Sequence, residues 1–464
     1  MVPPEVFSSN DPFSQGEENT LGPLAEAQLL KIEPTLEASE AENFPLPVDG
    51  LQILEAPWSQ DVRKVNSAAI RVLHVINGEH YAGAERVQDL LALRLPEFGV
   101  EVGFAVVKPG LFGRRRWSQQ TPLYETPMRG RFDLRPAWRL ARIIRQENYA
   151  LIHAHTPRTL LVGALAAWLT RRPLVYHVHS PAWADSTRWF FNWANATLER
   201  LAAGRATHLI CVSQTLAQQM HGRGVPESKI TVVPNGVPMA TSHWQPKILP
   251  VRPEGAFRSA AAEEANPAGW TVGIVALFRP RKGIEVLLEA LALLDRQDIP
   301  VRLRAVGPFE SPSYEATIRQ KVLQLGLAGR VDWTGPVGNV EAELAQMDLF
   351  VLPSLFGEGM PMVLLEAMAV GVPIVASRIP GIEEVIHDGQ EGFLSPPGNP
   401  QALAQAMAHL LTHPVQAVQL SQNARKRHRE RYSDRAMAAG AAEVYRRILA
   451  DRLPDGSAAP SRRT

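Results

Sequence analysis

From residue 70 onward, apolar runs of four to seven residues alternate with stretches whose apolar positions recur at helical spacing. That alternation marks βαβ units around a parallel sheet covered on both faces. It predicts strands over 70–76, 100–108, 150–153, 174–178, 208–213 and 230–233, with helices over 84–95, 137–146, 158–170, 187–203 and 215–221 between them. Residues 239–268 are proline- and alanine-bearing with weak periodicity and read as a linker or insertion. A second series follows, with strands over 271–277, 301–306, 331–333, 349–352 and 373–376. Its helices fall at 284–295, 314–325, 340–346, 361–370, 400–411 and 435–453. The expected class is α/β, with two doubly wound halves, 67–238 and 269–434, and a helix at 435–453 crossing back to the first. Two such halves hold ligands in the cleft between them, at the carboxyl ends of their strands.

Residues 1–66 lack this texture. They are rich in Glu, Pro and Ser, and the first fifty carry ten acidic residues against Lys31 alone. We expect a disordered acidic tail there, and a frayed end over 454–464. The net charge of +1 thus hides a basic body, suited to phosphorylated ligands, anionic lipid or nucleic acid. The lone cysteine, Cys211, excludes a disulfide framework within the chain and a cysteine zinc cluster, and fits a reducing compartment. No apolar run is long enough to span a bilayer, and the amino-terminal residues do not form a secretory signal, so a cytoplasmic location is expected.

Four segments carry candidate chemistry. Residues 353–369 follow a strand and place Glu358 in a loop before a helix that holds Glu366 among Leu364, Leu365, Ala367 and Met368. Two such carboxylates can touch two parts of one extended ligand, such as a sugar and a ribose; a solvated amphipathic helix would also carry them. A carboxylate within an apolar run needs a partner, which weighs against the solvated case. Residues 277–284 bring Arg279 and Lys282 to a helix start, which favours a diphosphate, although a basic solvated loop has the same composition. Residues 77–85 join the first strand to the first helix, where Gly83 permits close backbone approach; an ordinary βα turn would read alike. Two H-x-H runs, His153/His155 and His177/His179, sit where strands leave the sheet. Without an accompanying carboxylate cluster they suit hydrogen bonding in a polar cleft better than zinc.

In this order the four segments resemble the retaining GT-B glycosyltransferases of family GT4 (glycosyltransferase group 1) over about residues 70–450. Glu358 and Glu366 match that family's pair of glutamates eight residues apart. Further matches lie at Arg279, Lys282 and Gly283, at 233–237, and at 381–394. The resemblance implies a GT-B fold and transfer of a sugar from a UDP- or GDP-sugar to a glycan or lipid-linked acceptor hydroxyl, without metal or other cofactor. It implies that Glu366 binds the ribose, and that Glu358, with backbone N–H groups around Gly359 and Met360, binds the sugar. Arg279 and Lys282 would hold the diphosphate and Gly83 would line it. His179 would lie near the transferred sugar, and Gly335 and Val337 near the base. The chain departs from the family in its acidic tail, its long linker, and Tyr81-Ala82-Gly83 where Gly-Gly is usual. A nucleotide-sugar epimerase or phosphorylase on the same fold, or a non-catalytic sugar-binding module, are the other readings.

For the acceptor, residues 114–145 hold nine arginines against Glu125 and Asp133, and 183–193 hold Trp183, Trp189, Phe190, Phe191 and Trp193. Basic and aromatic surface together suit an anionic membrane and a lipid-linked acceptor, with Trp189 and Trp193 as acceptor contacts. Core aromatics and solvated arginines would leave the same sequence. Nucleic acid is not expected, because no recognition motif accompanies the charge.

Overall fold

Strand, turn and helix recur along the chain so regularly that two parallel sheets result. The computed structural model describes residues 69–81, 83–130, 133–180, 203–246 and 269–452. In the first half the elements are β1 (Ile70–Ile76), α1 (Gly83–Arg94), β2 (Val100–Val106), α2 (Leu111–Arg115), β3 (Leu123–Glu125), α3 (Pro136–Gln146), β4 (Leu151–Ala154), α4 (Pro157–Thr170), β5 (Leu174–Val178), β6 (His208–Cys211), α5 (Gln214–Gly222) and β7 (Ile230–Val232). In the second half they are β8 (Trp270–Val275), α6 (Ile284–Asp295), β9 (Val301–Val306), α7 (Pro312–Gln324), β10 (Val331–Gly335), α8 (Val340–Leu344), β11 (Leu349–Leu352), α9 (Met362–Val370), β12 (Ile374–Ser377), β13 (Phe393–Ser395), α10 (Pro400–Thr412), α11 (Pro414–Arg427) and α12 (Asp434–Ala450).

The strand orders are β3-β2-β1-β4-β5-β6-β7 and β10-β9-β8-β11-β12-β13, with every pairing parallel. Each sheet therefore has a switch point, β1 against β4 in one and β8 against β11 in the other. At a switch point successive loops leave in opposite directions and open a crevice at the strands' carboxyl ends. The segments singled out above begin at these ends: 77–83 after β1, His155 after β4, 277–283 after β8 and 353–361 after β11.

The central strands β1, β4, β5, β11 and β12 are buried on both faces, as parallel strands between helix layers must be. One apolar cluster runs from the first sheet through α9, where Leu364, Leu365, Ala367 and Met368 are wholly buried. A second packs α6 and α10 on the other side of the second sheet. The chain then returns. On α12, Asp434 accepts from Arg94 at 2.7 Å, Arg435 reaches Glu97 at 3.1 Å, and Arg447 reaches Thr231 at 2.9 Å.

Four elements lie outside the sequence expectations: α2, β3, β13 and α11. Two are three-residue strands and one a five-residue helix, too short for a period to show. The helix expected at 187–203, with its aromatic cluster, falls outside the described residues but for Ala203. So do the tail 1–66, most of 239–268 and the end 454–464.

Candidate active site

At the end of β8 the chain makes a short 3-10 turn, Pro280–Lys282, closed by Gly283 in the left-handed conformation (φ 67°). A Cβ on Gly283 would lie 2.0 Å from the Pro353 carbonyl oxygen, so glycine here lets the basic turn press on the loop after β11. The two loops are tied. Leu355 N–H donates to the Arg281 carbonyl at 2.8 Å, and the Arg281 guanidinium donates to the Gly357 carbonyl at 2.7 Å.

This brings Lys282 Nζ within 2.5 Å of Glu358 Oε1, which also accepts from Ser354 Oγ at 2.7 Å. Both charged groups are buried, with side chains 13% and 7% exposed. Burial alone would raise the Glu358 carboxyl, but the Lys282 ammonium beside it holds it below its usual value. Burial pushes Lys282 down. Arg279 lies beside them. Its Nη1 is 3.6 Å from Glu310, while its Nε is buried with no partner among the described residues. A cationic edge left unpaired there is suited to an anion.

The second glutamate meets the first half of the chain. Helices α1 and α9 start opposite one another: a Cβ on Gly83 would sit 3.9 Å from Met362 Cγ. One turn further along each, Arg86 Nη2 contacts Glu366 Oε1 at 2.5 Å, their side chains 22% and 11% exposed. The spacing of the sequence motif located both glutamates; it gave no sign of Arg86, whose partner lies far along the chain. Two further contacts across the halves were also missed. Asn235 Nδ2 donates to the Met360 carbonyl at 3.2 Å. Glu384 accepts from the backbone N–H groups of Gln214 and Thr215 at 2.6 and 2.8 Å, a carboxylate at the start of α5 where the helix dipole favours it. Both residues fall within segments that carried the family resemblance, 233–237 and 381–394.

His179 lies one residue beyond β5, and its carbonyl oxygen would be 2.2 Å from a Cβ on Gly359. Glu358, Lys282, Glu366, Gly83, Gly359, Met360 and His179 are thus brought together where the two halves meet. Gly335 ends β10, the edge strand of the second sheet, and Val337 lies two residues beyond it, packed against the apolar cluster that holds Met360 and α9. Trp189 and Trp193 lie outside the described residues. Within 114–145, Arg116 is not a surface charge as expected. It is 8% exposed and donates to the carbonyls of Ser118 and Thr121 at 2.9 and 2.6 Å. Arg135 is tied to Asp133 at 2.8 Å, whereas Arg114, Arg115, Arg139, Arg142 and Arg145 are exposed.

Two family models match the chain, one for group 1 glycosyl transferases over residues 258–427 and one for glycosyltransferase family 4 over 81–241. Among curated relatives, the phosphatidyl-myo-inositol mannosyltransferase of Mycobacterium leprae is 28% identical over 315 residues, 66% of this chain and 72% of its own. The UDP-Gal:alpha-D-GlcNAc-diphosphoundecaprenol alpha-1,3-galactosyltransferase of Escherichia coli is 28% identical over 277 residues, 56% of this chain and 66% of its own. Among solved structures, Anabaena HepE in complex with UDP-glucose superposes with a TM-score of 0.68 and 24% identity, covering 81% of this chain and 99% of that one. The likeness shows the two-sheet GT-B fold that the sequence resemblance implied.

Proposed function

The chain belongs to the group 1 glycosyltransferases of family 4, and on that premise we propose that it moves a hexose from a UDP- or GDP-sugar to a glycan or lipid-linked hydroxyl, with retention at the anomeric carbon and without metal. The buried Lys282–Glu358 pair beside the unpaired edge of Arg279 carries this reading, because it puts fixed cations and a sugar-binding carboxylate at one switch point. Glu366 takes the ribose hydroxyls. Arg279 and Lys282 take the diphosphate, with the start of α1 at Gly83 against it. Glu358 and the backbone near Gly359 and Met360 take the sugar, and His179 borders it. Gly335 and Val337 approach the base.

In the reaction the bond from the anomeric carbon to the diphosphate oxygen breaks, and a bond to the acceptor oxygen forms on the same face. The acceptor's proton passes to the departing phosphate oxygen. Arg279 and Lys282 stabilise the charge that builds there, in place of a metal. Removing one such fixed charge costs on the order of 10²-fold in rate. Folded Arg279→Ala and Lys282→Ala proteins are therefore expected to lose that much kcat in a transfer assay with UDP- and GDP-sugars run in chelator. Wild-type turnover by both variants, or an absolute need for added metal, would overturn the reading. Detection of free epimers or of phosphate-dependent cleavage in place of transfer would favour the epimerase or phosphorylase.

A lipid-linked acceptor is supported by the exposed surface of α3 and α4. Trp138 is 57% and Trp168 75% exposed, and they are joined there by Arg139, Arg142 and Arg145. Aromatic and basic groups together favour an anionic bilayer surface, each arginine by about 1 kcal/mol and less in salt. Among the described residues no helix is long and apolar enough to cross a membrane. Salt-sensitive co-sedimentation with anionic but not neutral vesicles is expected; equal or absent binding to both would favour a soluble acceptor.

A further inference from the structure

Five histidines gather at the carboxyl end of the first sheet: His74 on β1, His153 on β4 with His155 just beyond it, and His177 on β5 with His179 just beyond it. Register sets His74 opposite His153. The alternation of a strand turns His153 and His155 to one side, and likewise His177 and His179. Burial pushes His74 and His179 down to about 3 and the other three well below the usual imidazole value. Each is then a neutral ring with one N–H and one lone pair.

Four of the rings are joined in series with Tyr445 of α12. His179 Nε2 lies 3.2 Å from His155 Nδ1, and His155 Nε2 lies 3.1 Å from His74 Nδ1. His74 Nε2 is 3.4 Å from Tyr445 Oη, which is 2.6 Å from His153 Nδ1. A neutral imidazole donates once and accepts once, so the bonds through His155 and His74 run in one direction, and that direction is fixed once the Tyr445 hydroxyl is known to spend its proton on His153. The 2.6 Å contact is ordinary for an O–H donor and short for an N–H donor. Tyr445 therefore donates to His153 and accepts from His74, which accepts from His155, which accepts from His179. His179 spends its one proton on Nε2. Its Nδ1, buried with no partner among the described residues, is left a bare lone pair. The cost falls at the far end, on the unpartnered His153 Nε2–H.

We propose that Tyr445 and His74 are positioning residues that act through His155 to hold His179 as its Nε2–H tautomer, so that Nδ1 accepts a hydrogen bond from a hydroxyl of the transferred sugar. The inference rests on the reading that His179 borders that sugar. A sugar hydroxyl brings the proton that the Nδ1 lone pair lacks.

The tautomer is read by two-bond ¹⁵N–¹H correlation on histidine-labelled protein, with His179→Ala identifying the signal by its loss. The wild-type ring is expected as Nε2–H at neutral pH. Tyr445→Phe, which keeps the ring and deletes the hydroxyl, is expected to mix the tautomers. It should lower kcat roughly 10-fold while KM for the nucleotide sugar stays within about twofold, the scale of one hydrogen bond. A purely structural role for Tyr445 would lower the melting temperature and leave the tautomer alone. A wild-type Nδ1–H ring overturns the relay, and so does a folded Tyr445→Phe protein with unchanged tautomer and kcat. If the tautomers behave as expected but folded His179→Ala turns over at the wild-type rate, the relay stands. The sugar contact, and the placement of the sugar on which it rests, then falls.

Discussion

Arg86 shows what a single side chain does that its neighbours in sequence do not announce. Glu366 sits in an apolar helix, 9% exposed, and a carboxylate so placed needs a partner. The partner is the Arg86 guanidinium on the opposite half of the chain. If Glu366 takes the ribose as proposed, the hydroxyls can join it without displacing Arg86, because a carboxylate has about four lone-pair directions. Arg86 then keeps the carboxylate aimed at the cleft. Arg86→Ala is expected to weaken UDP or GDP binding about 10-fold by calorimetry, the scale of a charge-assisted hydrogen bond. Tighter binding would mean instead that Arg86 competes with the ribose. Glu358, Glu366, Arg279 and Lys282 were legible because each stands at a fixed offset from a strand end or helix start. Arg86, Asn235 and Glu384 act through partners that only the folded chain brings near, and no spacing within a local segment encodes such a pair.

At the scale of elements, long apolar periods were read well. β1, β5, β9, β11 and α6 span the residues expected of them, because a strand buried on both faces or a helix of three turns leaves a long pattern. The short edge elements β3 and β13 left none. The loop from β11 to α9 depends on a glycine for a reason the sequence hid. Gly359 passes so close to the end of β5 that a Cβ would stand 2.2 Å from the His179 carbonyl oxygen and 3.3 Å from a Leu216 methyl. Backbone atoms at that distance cannot yield as a flexible side chain can. Gly359→Ala is therefore expected to push the loop bearing Glu358 away from the first sheet and to lower kcat by about 10-fold or more, as a displacement of about 1 Å at a reacting centre does. Stability should suffer by only about 1–3 kcal/mol, the usual cost of overpacking. An active Gly359→Ala enzyme with unaltered kinetics would show that the halves need not meet at this point.

Seven of the chain's thirteen histidines are held as neutral rings by burial, and that ties the stability of the whole molecule to pH. His74, His153, His155, His177 and His179 are all pushed down by burial, and His208 and His428 are pushed down to about 4. Above about pH 6.5 the rings are neutral in the folded and the unfolded chain alike, and stability does not depend on them. Below it the unfolded chain takes up protons that the folded rings refuse. Each ring then favours unfolding by about 1.4 kcal/mol per pH unit until its own lowered value is reached. Glu358, Glu97 and Glu79, held below their usual 4.5, lose their contribution only at lower pH, so the interval between about 6.5 and 4.5 belongs to the histidines. Urea midpoints are expected to be flat above about pH 6.5 and to fall steeply below it. Replacing His74 with Phe should make that fall shallower by about one proton, since one refusing ring is gone. A midpoint that holds steady down to about pH 5 would mean the rings are protonated inside the fold. The hydrogen-bonded series leading to His179 could not then carry one donor per ring.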